Sequence, residues 1–423
     1  MRNGFKRRHS SLQRLEEIIT VLGINSSDLY STRFNGLSAI PALANFRINY
    51  KLLTDIHLRP QGKSMTPWFL QPFQRLIVSI EKRSGFQSRF YFWTYGLRYR
   101  RQFRKSDVAH YHILHNGFFR IESLKHLSKL KPSVWTFHDL WIATGHCIQP
   151  MGCVRFGVGC GECPHLTRSI PVNRDRTAFE VERKVKLIRS LNMKFVVSTD
   201  WMKEQILRVL PISEKDLYVI PFGVNTEIFQ PTAEFDRNVK REKFGIDKKS
   251  FIVFINAHND EIKGIHIVDE LVEKTIGNEV KFVLIDSEKR FLNKSNVYSF
   301  PRINVEEDLV NLIQISDMVV IPSLGESFSL LALESMSCGK TVITLRDSAP
   351  FEVVGRVEDY SFTRNNAVSD LMSLIDFGKS NKKQLEIQGM INRERVEKLY
   401  TQEIHALKLA TLYKESLSTF KNP

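Results

Sequence analysis

The sequence predicts an α/β fold made of two doubly wound domains that face each other across a cleft. Three observations carry that prediction. From residue 107 onward, short β-branched apolar runs alternate with amphipathic helical stretches, the pattern of a parallel sheet covered by helices on both faces. That rhythm breaks once, at 211–247, and then resumes. The chain has 423 residues, 42% hydrophobic and 25% charged, enough for a core in each of two domains. With 21 Gly, 15 Pro and no compositional tract, the disordered and collagenous classes are excluded.

In chain order, 14–22 reads as a helix, and neither an opening strand nor a glycine-rich turn is visible before Arg14. Residues 69–80 carry Leu70, Phe73, Leu76, Ile77 and Ile80 at three- and four-residue spacing, which predicts an amphipathic helix with its stripe facing a core rather than a membrane surface. Strands are expected at 107–115, 133–137, 194–198, 251–255, 281–285, 318–321 and 341–345, and helices at 200–210, 265–276, 306–315 and 329–337. The interruption at Pro221-Phe-Gly223 and Pro231 divides the chain into a first domain, 1–221, and a second domain, 222–402. In such sheets ligands bind beyond the carboxyl ends of the strands.

Residues 1–110 hold 19 Lys or Arg against 6 Asp or Glu, so +13 of the formal +15 lies in the first quarter of the chain. A surface of that kind suits an anionic partner, and an anionic membrane is preferred here to nucleic acid. No run of 18 apolar residues predicts a membrane span, and the basic N-terminus lacks the apolar stretch of a signal peptide. The expected location is the cytoplasm, at the inner face of the plasma membrane.

The chemistry concentrates at Glu326-Ser-Phe-Ser-Leu-Leu-Ala-Leu-Glu334. A strand ends before it, Ser327 or Ser329 can cap the helix that follows, and the free N–H groups at that helix end suit a diphosphate. Carboxylates beside such a site can accept hydrogen bonds from sugar hydroxyls. A second loop, Asn256-Ala-His-Asn-Asp-Glu-Ile-Lys-Gly264, places Lys263 before a helix, where an ammonium stabilises a departing diphosphate.

These motifs resemble glycosyltransferase family 4, whose retaining enzymes have the two-domain GT-B fold. The match includes Glu334-Ser-Met-Ser-Cys-Gly339, Val219-Ile-Pro-Phe-Gly-Val-Asn225, Asp347-Ser-Ala-Pro-Phe-Glu352 and Trp135-Thr-Phe-His-Asp-Leu-Trp141, the last as in enzymes of capsule, O-antigen and exopolysaccharide synthesis. The resemblance implies a C-terminal helix, 403–423, that crosses back to the first domain. It also implies His138 near the transferred sugar, Lys263 at the donor phosphates, Glu326 at the donor sugar and Glu334 at the nucleotide ribose. Ser327, Phe328, Ser329 and Leu330 complete the implied donor site. Three positions depart from the family: Ser329 stands where Gly is frequent, Ala257 where Arg is frequent, and Phe222 where Asn is usual.

Cys147, Cys153, Cys160 and Cys163 fall within 17 residues, and in a reducing compartment four thiols at this spacing suit structural zinc; free buried thiols and disulfides are the alternatives. The resulting expectation is a hexosyltransferase of cell-surface polysaccharide synthesis that uses a nucleotide diphosphate-sugar, a saccharide or polyprenyl-linked acceptor and no catalytic metal. An inactive glycosyltransferase-like partner subunit and a basic zinc-containing nucleic-acid binder are the rival readings.

Overall fold

The computed structural model describes residues 18–27, 37, 40–56, 64–168, 170–277 and 279–420. Its first sheet holds β1 (Ile19–Ser27), β2 (Ile48–Ile56), β3 (Val108–Tyr111), β4 (Ser133–Thr136), β5 (Lys194–Val197) and β6 (Leu217–Val219), in the order β2-β1-β3-β4-β5-β6. The second holds β7 (Phe251–Asn256), β8 (Val280–Ile285), β9 (Val297–Phe300), β10 (Met318–Ile321), β11 (Thr341–Leu345) and β12 (Ser361–Phe362), in the order β12-β11-β10-β7-β8-β9. Every pairing in both sheets is parallel. The strands β10 and β11 are buried at every residue, so β-branched side chains fill both faces without a polar alternation.

Two expectations are overturned. The helix expected at 14–22 is replaced from Ile19 by β1, a central strand paired with both β2 and β3; residues 1–17 lie outside the described ones. Its sequence, Ile-Thr-Val-Leu-Gly-Ile-Asn-Ser-Ser, is buried from Val21 to Ser27, and a short apolar run of that kind is consistent with either a doubly covered strand or a buried helix turn. The stripe expected to face a core also does not. The helix Gln71–Ser84 leaves Phe73, Leu76 and Ile80 exposed, and the residue it buries is Glu81. Spacing defines a stripe but not what covers it.

Apolar clusters fill both faces of each sheet. After β6 the chain passes into the second domain through Ile220–Val224, and it returns at Tyr400–Gln402. Val224 N donates to Tyr400 O at 2.9 Å at this double crossing. The final helix, Gln402–Thr419, then packs on the first sheet, where Ala406, Leu409, Ala410, Leu412 and Tyr413 share a cluster with Val21, Val108, Val134 and Val196. No helix among the described residues is long and apolar enough to cross a membrane.

Gly223 lets the two crossing segments touch, because a Cβ there would stand 2.4 Å from Thr401 O and 2.7 Å from Gln402 Cα. Gly223→Ala is expected to lower unfolding free energy by about 1–3 kcal/mol, the usual cost of overpacking. Urea denaturation reads this, and an unchanged midpoint would show that the crossing yields without strain.

Candidate active site

Two loops at the carboxyl ends of β7 and β10 build the centre of the site. After β7, Asp260 accepts a hydrogen bond from Ile262 N at 2.7 Å and turns the chain through Glu261–Lys263. Gly264 follows with φ +76°, and a Cβ on it would lie 2.1 Å from Pro322 O, immediately after β10. Only a residue without a side chain lets these loops close on each other. That contact brings Lys263 Nζ to 2.6 Å from Glu326 Oε1, which also accepts from Ser323 Oγ at 2.9 Å.

Burial alone would raise the Glu326 carboxyl. The Lys263 ammonium, with the Ser329 and Ser323 hydroxyls, outweighs burial and holds it below the ordinary carboxylate range. Glu326 is therefore ionised at neutral pH, and its Oε2 is buried without a hydrogen-bond partner among the described residues. An orphaned carboxylate oxygen of this kind is costly unless a ligand hydroxyl or amide supplies the missing proton.

A cleft of about 420 Å³ opens over this pair. The second domain lines it with Asn256, His258, Lys263 and the run 325–331, the first with His138, Asp139 and Gln149, and the crossing segment with Phe222. His138 stands two residues past β4. Its Nε2 lies 3.0 Å from His112 Nδ1, and its ring stacks on Phe222 with 5.7 Å between centroids and planes 1° apart. Burial first, and then neighbouring histidines 112, 115 and 405, push its pKa well down, so the ring is neutral near pH 7.

Residues 63–228 match the family described as Glycosyltransferase Family 4, and residues 236–395 match Glycosyl transferases group 1. The chain belongs to glycosyltransferase family 4. WcaC of Escherichia coli K12, assigned to colanic acid biosynthesis as a glycosyl transferase, is 35% identical over 91 residues, 20% of this chain and 22% of WcaC. An N,N'-diacetylbacillosaminyl-diphospho-undecaprenol alpha-1,3-N-acetylgalactosaminyltransferase of Campylobacter jejuni is 25% identical over 247 residues, 54% of this chain and 63% of that protein. The chain thus spans less than two thirds of the length of these relatives. Sucrose-phosphate synthase from Thermosynechococcus elongatus superposes with a TM-score of 0.65 at 16% identity, covering 95% of this chain and 100% of that one. Anabaena HepE in complex with UDP superposes with a TM-score of 0.61 at 13% identity, again covering 95% and 100%. These likenesses show the GT-B fold.

Against that family pattern, the departures acquire physical content. Phe222 packs between His138 and His405 and meets Phe328 edge-on, so an aromatic wall replaces a polar side chain. Ala257 is buried and brings no cation to the cleft. Ser329 sits at φ +80°, ψ 91°, a backbone region where glycine is at ease, and its Oγ accepts from Ala332 N at 3.3 Å to cap the helix Leu330–Ser337.

Of the other expected site residues, Ser327, Phe328, Ser329 and Leu330 line the cleft, whereas Glu334 is buried in the helix and does not. The four cysteines line one small cavity together with His146, whose Nε2 is 3.4 Å from Cys163 Sγ and 3.7 Å from Cys147 Sγ. All are free thiols, and among the described residues no group of three or more His, Cys, Asp or Glu is placed to hold a metal ion.

Sequence reasoning missed the residues that join the domains. Gln149 Nε2 donates to Ser327 Oγ at 2.7 Å across the cleft. Glu352 accepts from Asp200 N at 2.8 Å and Trp201 N at 2.7 Å, so an acid of the second domain caps a helix of the first. The Asp347–Glu352 motif contained that acid, but nothing in the order of residues pairs it with Asp200; Gln149 carries no local signal at all.

Ser329→Gly is expected to raise unfolding free energy by about 1 kcal/mol, because relief of a strained φ outweighs the few tenths lost with the cap. Thermal denaturation checks it. A fall in stability would show that the Ser329 hydroxyl matters more than its backbone.

Proposed function

We propose that the chain is a retaining glycosyltransferase that moves a sugar from a nucleotide diphosphate-sugar to a saccharide or lipid-linked saccharide in cell-surface polysaccharide synthesis. The observation that carries this reading is the Lys263–Glu326 pair at the mouth of the Leu330–Ser337 helix, with Glu326 Oε2 awaiting a donor. A sugar hydroxyl donating to that oxygen satisfies it. The diphosphate competes for Lys263 and meets the helix N-terminus, so positive charge meets the leaving group as its bond to the sugar breaks. His138, on the facing domain, stands where the transferred sugar and acceptor oxygen would meet. In this reading the protein's own cation and dipole serve in place of a catalytic metal. The complex of HepE with UDP and the diphospho-undecaprenol substrate of the Campylobacter relative support the donor and acceptor classes. The inactive-subunit reading rested on an opening strand and a glycine-rich loop not visible in the sequence; β1 supplies the strand, and most of the segment after it lies outside the described residues.

The acceptor side also carries a membrane-facing surface in this proposal. Trp68, Phe69, Phe73, Leu76 and Ile80 are exposed together on Trp68–Leu70 and the helix that follows, beside exposed Arg75, Lys82 and Arg83. Apolar side chains inserted among headgroups, with cations beside them, fit an anionic leaflet.

Isothermal titration with UDP, GDP and ADP tests the donor site. One nucleotide should bind at micromolar strength, and Lys263→Met should weaken it by about tenfold or more, as expected for a lost charge-assisted contact. Glu334→Gln in the same assay tests the ribose role given by the resemblance. Absence of binding to folded protein by all three would sink the donor reading. For the surface, co-sedimentation with vesicles should fall about tenfold or more when phosphatidylglycerol is replaced by phosphatidylcholine, since each cation near an anionic leaflet is worth about 1 kcal/mol. Equal binding to both compositions, or none to either, would refute it.

A further inference from the structure

Behind His138 lies a chain of hydrogen bonds that the proposed transfer does not by itself require. Tyr50 Oη, on β2, is 2.6 Å from His112 Nε2, and His112 Nδ1 is 3.0 Å from His138 Nε2. His138 Nδ1 has no protein partner among the described residues, and the ring lines the cleft. The strand beneath is adapted to this arrangement. Gly23, in the middle of β1, would place a Cβ 2.3 Å from Tyr50 Oη, so a residue that normally weakens a strand makes room for the phenol.

The direction of each hydrogen bond follows from counting protons. Burial raises the Tyr50 phenol, lowers His112 to about 3 and lowers His138 well below its ordinary value, so the phenol keeps its proton and each ring carries one N–H. The phenolic proton has two nitrogens within reach. His110 Nδ1 is 3.5 Å away and already lies 2.7 Å from Tyr413 Oη, while His110 Nε2 is 2.7 Å from Thr136 Oγ1. His405 directs its Nδ1–H to Pro221 O at 2.5 Å, and His115 is engaged with Asp139 at 2.9 Å. These neighbours are occupied elsewhere, so Tyr50 donates to His112 Nε2. The single proton of His112 is then on Nδ1 and is donated to His138 Nε2, which leaves the His138 proton on Nδ1.

We propose that Tyr50 and His112 are positioning residues that fix His138 as its Nδ1–H tautomer, so that the face turned to the cleft offers a hydrogen-bond donor to a sugar oxygen. Its benefit to catalysis rests on the glycosyl-transfer reading; the tautomer itself does not. A base accepting a proton from the acceptor hydroxyl would need the opposite tautomer, with Nδ1 bare. The relay therefore assigns His138 to holding sugar oxygen rather than to deprotonating the acceptor.

Long-range 1H–15N correlation spectra of the full chain labelled with 15N-histidine, with His138 assigned through His138→Gln, read the tautomer directly at pH 7. His138 should be Nδ1–H in the wild type. In Tyr50→Phe, His112 Nε2 loses its donor, and the His138 signal should move toward Nε2–H. His112→Asn keeps an N–H near the position of Nδ1 and should preserve the wild-type pattern, whereas His112→Leu should not. In sugar transfer, Tyr50→Phe and His112→Leu should lose about tenfold or more in kcat with donor KM within about twofold, and His112→Asn should recover most of the loss. An Nε2–H signal for His138 in the wild type, or one unmoved in folded Tyr50→Phe, would overturn the relay. If no donor supports transfer, the spectra still decide the relay, so its failure is separable from failure of the proposed activity.

Discussion

The contact between Gly264 and Pro322 is the constraint on which the site depends. It fixes two loops from different strands against each other, and through them it fixes a lysine on a glutamate. Without that approach, Lys263 would be an exposed side chain on a turn, and Glu326 would be a buried carboxylate with little to offset its desolvation. With it, the acid stays ionised in a place where burial would otherwise neutralise it. One oxygen is satisfied by protein, and the other has no partner among the described residues. The cleft thus holds a charge arrangement prepared in advance, which is what transition-state stabilisation by a polar site needs.

Much of this was legible in the sequence. The helix Glu306–Ile315 and strands β10 and β11 fall where the apolar pattern puts them, because each is bounded by turn residues and has the length of one element. Ser327 and Ser329 both read as candidate caps from their place before an apolar helix, and Ser329 is the one that caps. What was not legible depends on covering layers. Residues 19–22 read as helix although they begin a strand covered on both faces, and the Gln71–Ser84 segment reads correctly as a helix but with its stripe turned to a core that does not cover it. Short strands such as Leu217–Val219 and Ser361–Phe362 derive their identity from a neighbour in the sheet rather than from their own residues.

Within the site the same division holds. A motif announces residues close together in the chain, and so Lys263, Glu326 and His138 could be named, each at a strand end. Partners brought in from far along the chain could not. His112 and Tyr50 are 62 residues apart, Gln149 and Ser327 are 178 apart, and Glu352 reaches a helix 152 residues earlier. The sequence marks Phe222 only as a substitution for the family's usual residue. The structure gives it a packing role, flat against His138 and beside His405, which ties the crossing segment to the final helix.

The cap that Glu352 places on the helix Asp200–Leu207 bears on how the molecule cycles. Two backbone N–H groups at the start of that helix point at a carboxylate belonging to the other domain, and the Trp201 indole adds a third bond, to Asp347 O, at 3.0 Å. Parting the domains strips all three at once and uncovers a helix end. These three bonds favour the arrangement with the domains in contact over one with them parted. Any opening of the cleft between the two sheets therefore parts side chains remote from Lys263 and Glu326 as well as those that line it.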